Sequence, residues 1–158
     1  MSVSIGQVVW LAPIATACHF LEEQPHFADW ARDHISSRYT NEHWRRIHFL
    51  GIVCAIGFAG VVSWVPGPVS VFLFTALYLA PLLFNMIFHA ATSYLYRSYS
   101  PGLVTAVALF PALFWYLISA FAQAGLLRAE AATAATVVGA VVHGLDLAPT
   151  TFFLERRA

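Results

Sequence analysis

Val69–Leu95 reads VSVFLFTALYLAPLLFNMIFHAATSYL, an apolar run with no Asp, Glu, Lys or Arg. A helix needs about 20 mostly apolar residues to cross a bilayer, so this segment is long enough to span one at a tilt. Four further segments have the same character. Ile5 to about Glu23 is short and ends before Pro25; Ile47 to Val65 stops at Pro66-Gly67-Pro68. Leu103 to Leu127 is opened by Ser100-Pro101-Gly102, and Ala131 to Leu154 closes the chain. Alternation of period two is absent, which argues against a barrel. The pattern predicts an all-α polytopic membrane bundle of five transmembrane helices. Residues 1–158 are expected to form one integral membrane domain.

Composition points the same way. The chain is 59% hydrophobic and 10% charged, with a mean hydropathy of +0.70. Soluble domains are nearer ~45–50% apolar and about 25% charged, so the expected solvent is lipid. The formal net charge is zero and nothing points to nucleic acid. Cys18 and Cys54 lie inside apolar runs and read as packing residues. The start, Met1-Ser2-Val3-Ser4, has no Lys or Arg and makes a poor signal peptide, so the first segment is expected to be retained. Ala129, Ala131, Ala132, Ala134, Ala135, Gly139 and Ala140 permit close helix packing. Such faces would serve a homo-oligomer as well as the bundle.

Arginine sets an expected direction. Arg32, Arg38, Arg45, Arg46, Arg97, Arg156 and Arg157 fall on one side of a five-span chain, and Arg128 alone on the other. The amino terminus is then outside and the carboxyl terminus cytoplasmic, in the inner (plasma) membrane. The polar residues inside the spans gather on that same cytoplasmic side. His19, Glu22 and Glu23 close the first span and His48 opens the second. Asn85 and His89, four apart, share a face near the end of the third; Thr105 follows the start of the fourth. His143 and Asp146, three apart, share a face late in the fifth. Ionisable groups at membrane depth are costly and mark function by default.

Each has a plainer reading. His48 would be interfacial beside Trp44, Glu23 a helix-end cap, and Asn85 a repair for the bond that Pro81 breaks. His143 and Asp146 would pair with each other, and Thr105 would bond to its own helix. His26, His34 and His43 read as solvated loop residues. The polar loop from Asp29 to Arg46 is amphiphilic enough for a surface helix over the site, with Trp30 and Trp44 anchoring it at the headgroups. An inert bundle, however, has no use for so many ionisable groups at one depth.

The run His19-Phe20-Leu21-Glu22-Glu23, with Phe27 and Trp30 after it, resembles the HXXEE family of bacterial integral membrane proteins. Asn85-Met86-Ile87-Phe88-His89 and Tyr99-Ser100-Pro101-Gly102-Leu103-Val104-Thr105-Ala106 are similar to that family's later motifs. The resemblance implies a membrane protein with an active site and no particular substrate.

The donor types point to a metal-dependent enzyme. His19, His48, His89 and His143 offer imidazoles; Glu22, Glu23 and Asp146 offer carboxylates. Such a set suits a divalent metal, iron or zinc, with two ions where a carboxylate bridges. Bridging favours a non-haem (di-)iron oxidoreductase acting on a lipophilic substrate near the cytoplasmic leaflet. A zinc-dependent membrane hydrolase is the alternative. In a metal-free isomerase or cyclase, Glu22 would donate a proton and His89 or Asp146 accept it. Glu22, Glu23, Asn85 and Asp146 are the candidate catalytic residues. The expected partners are the lipid bilayer and a lipophilic small molecule.

Overall fold

A computed structural model describes residues 4–148. The side chain of Asp146, the end of the fifth segment towards Leu154, and Arg156 and Arg157 lie outside the described residues. The protein is an all-helical membrane bundle. Its elements are α1 (Ile5–Val8), α2 (Leu11–Glu23), α3 (Phe27–His34), α4 (Asn41–Trp64), α5 (Pro68–Phe74), a π-helical turn (Thr75–Leu79), α6 (Ala80–Tyr96), α7 (Leu103–Gln123) and α8 (Ala129–Ala148). Four stretches are long and apolar enough to cross a membrane: Ile5–Glu23, Asn41–Trp64, Pro68–Tyr96 and Leu103–Gln123. A shorter apolar stretch, Ala129–Leu145, lies within α8.

Local chemistry sets the breaks. Pro13 has no N–H for the carbonyl of Val9, and the first span turns at Val9–Trp10 before α2 begins. The helix of the second span, α4, starts at Asn41, six residues earlier than its apolar run, because Thr40 caps it by accepting from His43 N at 3.0 Å. Pro81 likewise cannot donate to Leu77. The wider π turn accommodates the missing bond, with Ala80 N bonded back to Thr75 O. Gly125, at φ +69°, closes the turn after α7, so that helix stops at Gln123 rather than Leu127. In α3, Phe27, Ala28, Trp30 and Ala31 are buried, the one-sided stripe of an amphipathic helix laid over the end of the bundle.

The core runs through the bundle from Val9, Ala12 and Val62 to Phe74, Leu79, Leu117 and Phe121, all fully buried. Phe49, Trp64, Trp115 and Val137 face outward, as expected where the solvent is lipid. α8 packs on the π turn and α6. A Cβ on Gly139 would lie 2.4 Å from Ala80 Cβ and 3.2 Å from Ala76 O. This glycine is therefore what lets the two backbones approach. The end of α2, the start of α4, the end of α6 and the start of α7 meet at one end of the bundle, where α3 covers them.

Candidate metal centre

His19 and Glu23 stand four apart on α2, one turn of the same face. His89 comes from α6. The ligand atoms of these three residues lie within 4.8 Å of one another, and all three are buried. His19 Nε2 is 3.2 Å from Glu23 Oε1, and His89 Nε2 is 3.1 Å from the same oxygen. The two imidazoles meet edge to face, 5.0 Å between centroids.

The hydroxyls of Thr105 and Ser100 stand at the outer nitrogens of the two rings. The Thr105 hydroxyl donates to Gly102 O at 3.2 Å. It has one proton, so towards His19 it can only accept. His19 Nδ1, 2.9 Å away, therefore carries the ring hydrogen. Nε2 of the neutral ring is then a lone pair, consistent with its accepting from Asn85 Nδ2 at 3.0 Å. Ser100 Oγ lies 2.9 Å from His89 Nδ1, and His89 Nε2, buried, has no hydrogen-bond partner among the described residues. With both rings neutral and hydrogen-bonded to these hydroxyls through Nδ1–H, two nitrogen lone pairs would converge on a carboxylate oxygen that is also an acceptor. Such an array needs a proton or a cation at its centre.

The spacing suits a cation. Tetrahedral ligands at roughly 2.0–2.1 Å from an ion lie about 3.3 Å from each other. Hydrogen-bonding the outer nitrogen of each imidazole is also what metal-binding histidines require of their surroundings. Gly102 closes the site. At φ +97° it adopts the left-handed conformation, and a Cβ there would lie 2.6 Å from His19 Cε1, 2.8 Å from Glu23 Cγ and 2.9 Å from His89 Cε1.

The other oxygen of Glu23 serves α4. Trp44 Nε1 donates to Oε2 at 3.2 Å, and His48 Nε2 contacts the same atom. His48 Nδ1 faces Trp44 O at 2.7 Å. A carbonyl only accepts, so Nδ1 carries a hydrogen and the Glu23–His48 contact holds a second proton. This corrects the expected place of Trp44. It is buried and bonded to Glu23 rather than anchored among headgroups, and Trp30 is buried as well.

Glu22 turns away from the triad. Oε1 accepts from the Tyr99 hydroxyl and from Val104 N at 3.1 Å, and Oε2 accepts from Thr105 N at 2.7 Å. Burial, and then the Glu22 carboxylate beside it, push the Tyr99 phenol up to about 12. Tyr99 is therefore a donor throughout the physiological pH range.

Seven residues were candidate ligands from the sequence, and the structure gathers His19, Glu23 and His89. His48 stands behind Glu23, and Glu22 serves the start of α7. His143, half-buried on α8, is not in the group. Asp146, its companion in the sequence, has its side chain outside the described residues. The described ligand atoms thus form one group that could hold a metal ion. Asn85 adjoins it through His19. Sequence reasoning missed Trp44, Ser100 and Gly102. The first two were hidden as an interfacial aromatic and a turn residue. Ser100-Pro101-Gly102 was visible as the signal that opens a helix and as part of a family-like motif, neither of which assigns Ser100 or Gly102 a place at the centre.

A family model described as "Protein of unknown function with HXXEE motif" matches residues 10–116. That range includes every residue of the centre described above. No curated protein and no solved structure matches the chain.

Proposed function

We propose a metal-dependent enzymatic function for this chain, which belongs to the HXXEE family: an integral membrane enzyme that holds one divalent ion between His19, Glu23 and His89. The observation that carries this reading is the convergence of two imidazole nitrogens on one buried carboxylate oxygen, at 3.2 and 3.1 Å. Two histidines and one carboxylate with positions left open are the donor set of non-haem iron enzymes, and also of hydrolytic zinc sites. An ion here would supply oxidation chemistry as iron, or activation of water as zinc. Iron is the first candidate and zinc the alternative. The residues would orient the ion through Nε2 of both rings. Asn85, at hydrogen-bond distance from His19 Nε2, would hold a group in an open position.

The substrate we propose is lipophilic. Phe110 lies 4.9 Å and Phe20 6.0 Å from the His19 ring, and Phe27 lies 6.0 Å from His89. A site walled by such rings at the end of apolar helices favours an apolar substrate arriving through the bilayer. Purified protein is expected to carry about one equivalent of iron or zinc, and the His89→Ala variant none. Metal-free wild-type protein that is still active would sink the reading and leave proton transfer between Glu23 and the imidazoles.

The arginine asymmetry supports placing this end of the bundle in the cytoplasm. With Cys18 and Cys54 replaced by serine, an Arg128→Cys variant should react with an impermeant maleimide on intact cells and a Ser37→Cys variant should not. The opposite labelling pattern would invert the topology.

A further inference from the structure

The second glutamate of the motif has a task of its own. We propose that Glu22 is the positioning residue of the centre: one carboxylate that pins the Tyr99–Thr105 turn and, through it, the two hydroxyls that orient His19 and His89.

α7 begins at Leu103, after Gly102, which has no side chain to cap it. Its first N–H groups have no partner within the helix. Unmet N–H groups at membrane depth are costly. Glu22 reaches across from α2 and takes two of them, Val104 N and Thr105 N. Its negative charge also sits at the positive end of α7. The same carboxylate takes the Tyr99 hydroxyl and so holds the turn at its other end.

The two residues so held lead to the two histidines. Thr105, bonded to Glu22 through its N–H, presents its hydroxyl to His19 Nδ1 at 2.9 Å. Ser100, next to the tethered Tyr99, presents its hydroxyl to His89 Nδ1 at 2.9 Å. Between them, a Cβ on Gly102 would run into both rings and Glu23. Glu22 is taken up by donors from Tyr99, Val104 and Thr105, with none of the triad among these partners. It is the residue on which both second hydrogen bonds depend. A glutamine at this position would offer an N–H donor where backbone donors already point.

This role deepens the metal-centre reading and rests on it for one of two readouts. The probe is Zn²⁺, titrated against a chelator with the full chain in lipid nanodiscs. Glu22→Gln is expected to bind Zn²⁺ at the wild-type stoichiometry with affinity roughly 10–100-fold weaker. In a Thr105→Val background, the same change should cost clearly less, because the path to His19 is already cut. Loss of stoichiometric binding would make Glu22 a ligand and overturn the role. Fully additive losses, or a fall in melting temperature with affinity unchanged, would reduce it to a helix cap and overturn it equally.

The second readout needs no metal. In ¹⁵N-imidazole spectra of zinc-free protein, the Nδ1 hydrogens of His19 and His89 should exchange slowly in the wild type and faster in Glu22→Gln. Unchanged exchange overturns the role. Tyr99→Phe, which removes one tether and leaves the cap, should show the milder form if Glu22→Gln fails to fold. Wild-type protein that takes no Zn²⁺ but loses Nδ1 protection in Glu22→Gln would end the metal reading and leave the positioning role intact.

Discussion

Glu23→Gln is expected to abolish stoichiometric metal binding, with apparent affinity down by more than ~100-fold. Removing a partner of a metal-bound histidine costs 10–100-fold, and Glu23 is itself one of three donors. Its Oε1 is the atom on which both Nε2 nitrogens converge. An amide there brings either a weaker carbonyl donor or an N–H pointing at the ion. The same change removes the carboxylate that faces His48, so the proton in that contact loses its anionic partner. Breaking a buried charged pair from one side costs roughly 3–5 kcal/mol, so the variant should also melt earlier. The two effects separate in the double variant Glu23→Gln/His48→Gln. It should recover much of the lost melting temperature and still bind no ion. Chelator competition and thermal denaturation on the same samples read both. Metal binding retained in Glu23→Gln would remove Glu23 from the centre.

That Glu22 and Glu23 do different work was not readable from their spacing. Both stand one turn beyond His19 and both count as its neighbours. At 3.6 residues per turn, though, Glu22 falls about 60° to one side of His19 and Glu23 about 40° to the other. Which side holds the partner depends on the helices that pack there, and a single helix carries no record of that. The spans were legible because a bilayer demands length and apolarity from each helix independently. His19, Glu23 and His89 were legible for the same reason, as ionisable groups where lipid makes them costly. Ser100 and Gly102 were not, because a turn sequence looks alike whether it faces water or closes over a site. Trp44 illustrates the opposite error. An aromatic next to arginines has the signature of a headgroup anchor, and only the arrival of α4 beside α2 turns its N–H to Glu23.

Gly102→Ala is expected to be the most damaging single-methyl change near the site. Two separable costs meet at this position. The backbone is at φ +97°, where an L side chain adds roughly 1–2 kcal/mol of strain. The added methyl would also fall 2.6–2.9 Å from both imidazoles and Glu23. Forcing an atom into filled space costs typically about 1–3 kcal/mol. Here the atoms that must give way are the proposed ligands. Gly125 is the internal control. It has φ +69° and nothing within 4 Å of its would-be Cβ, so Gly125→Ala carries strain alone. Thermal denaturation should show a modest loss for Gly125→Ala and a larger one for Gly102→Ala. Zinc affinity should separate them further: unchanged for Gly125→Ala, and weaker by at least ~10-fold for Gly102→Ala, the lower end of what disturbing a ligand's support costs. If Gly102→Ala bound zinc as tightly as the wild type, the turn would be a mere neighbour of the histidines. Their positions would then have to come from α2 and α6 alone. The expected loss instead places the α6–α7 turn within the working parts of the centre, with one face holding the rings through hydroxyls and the other held by Glu22.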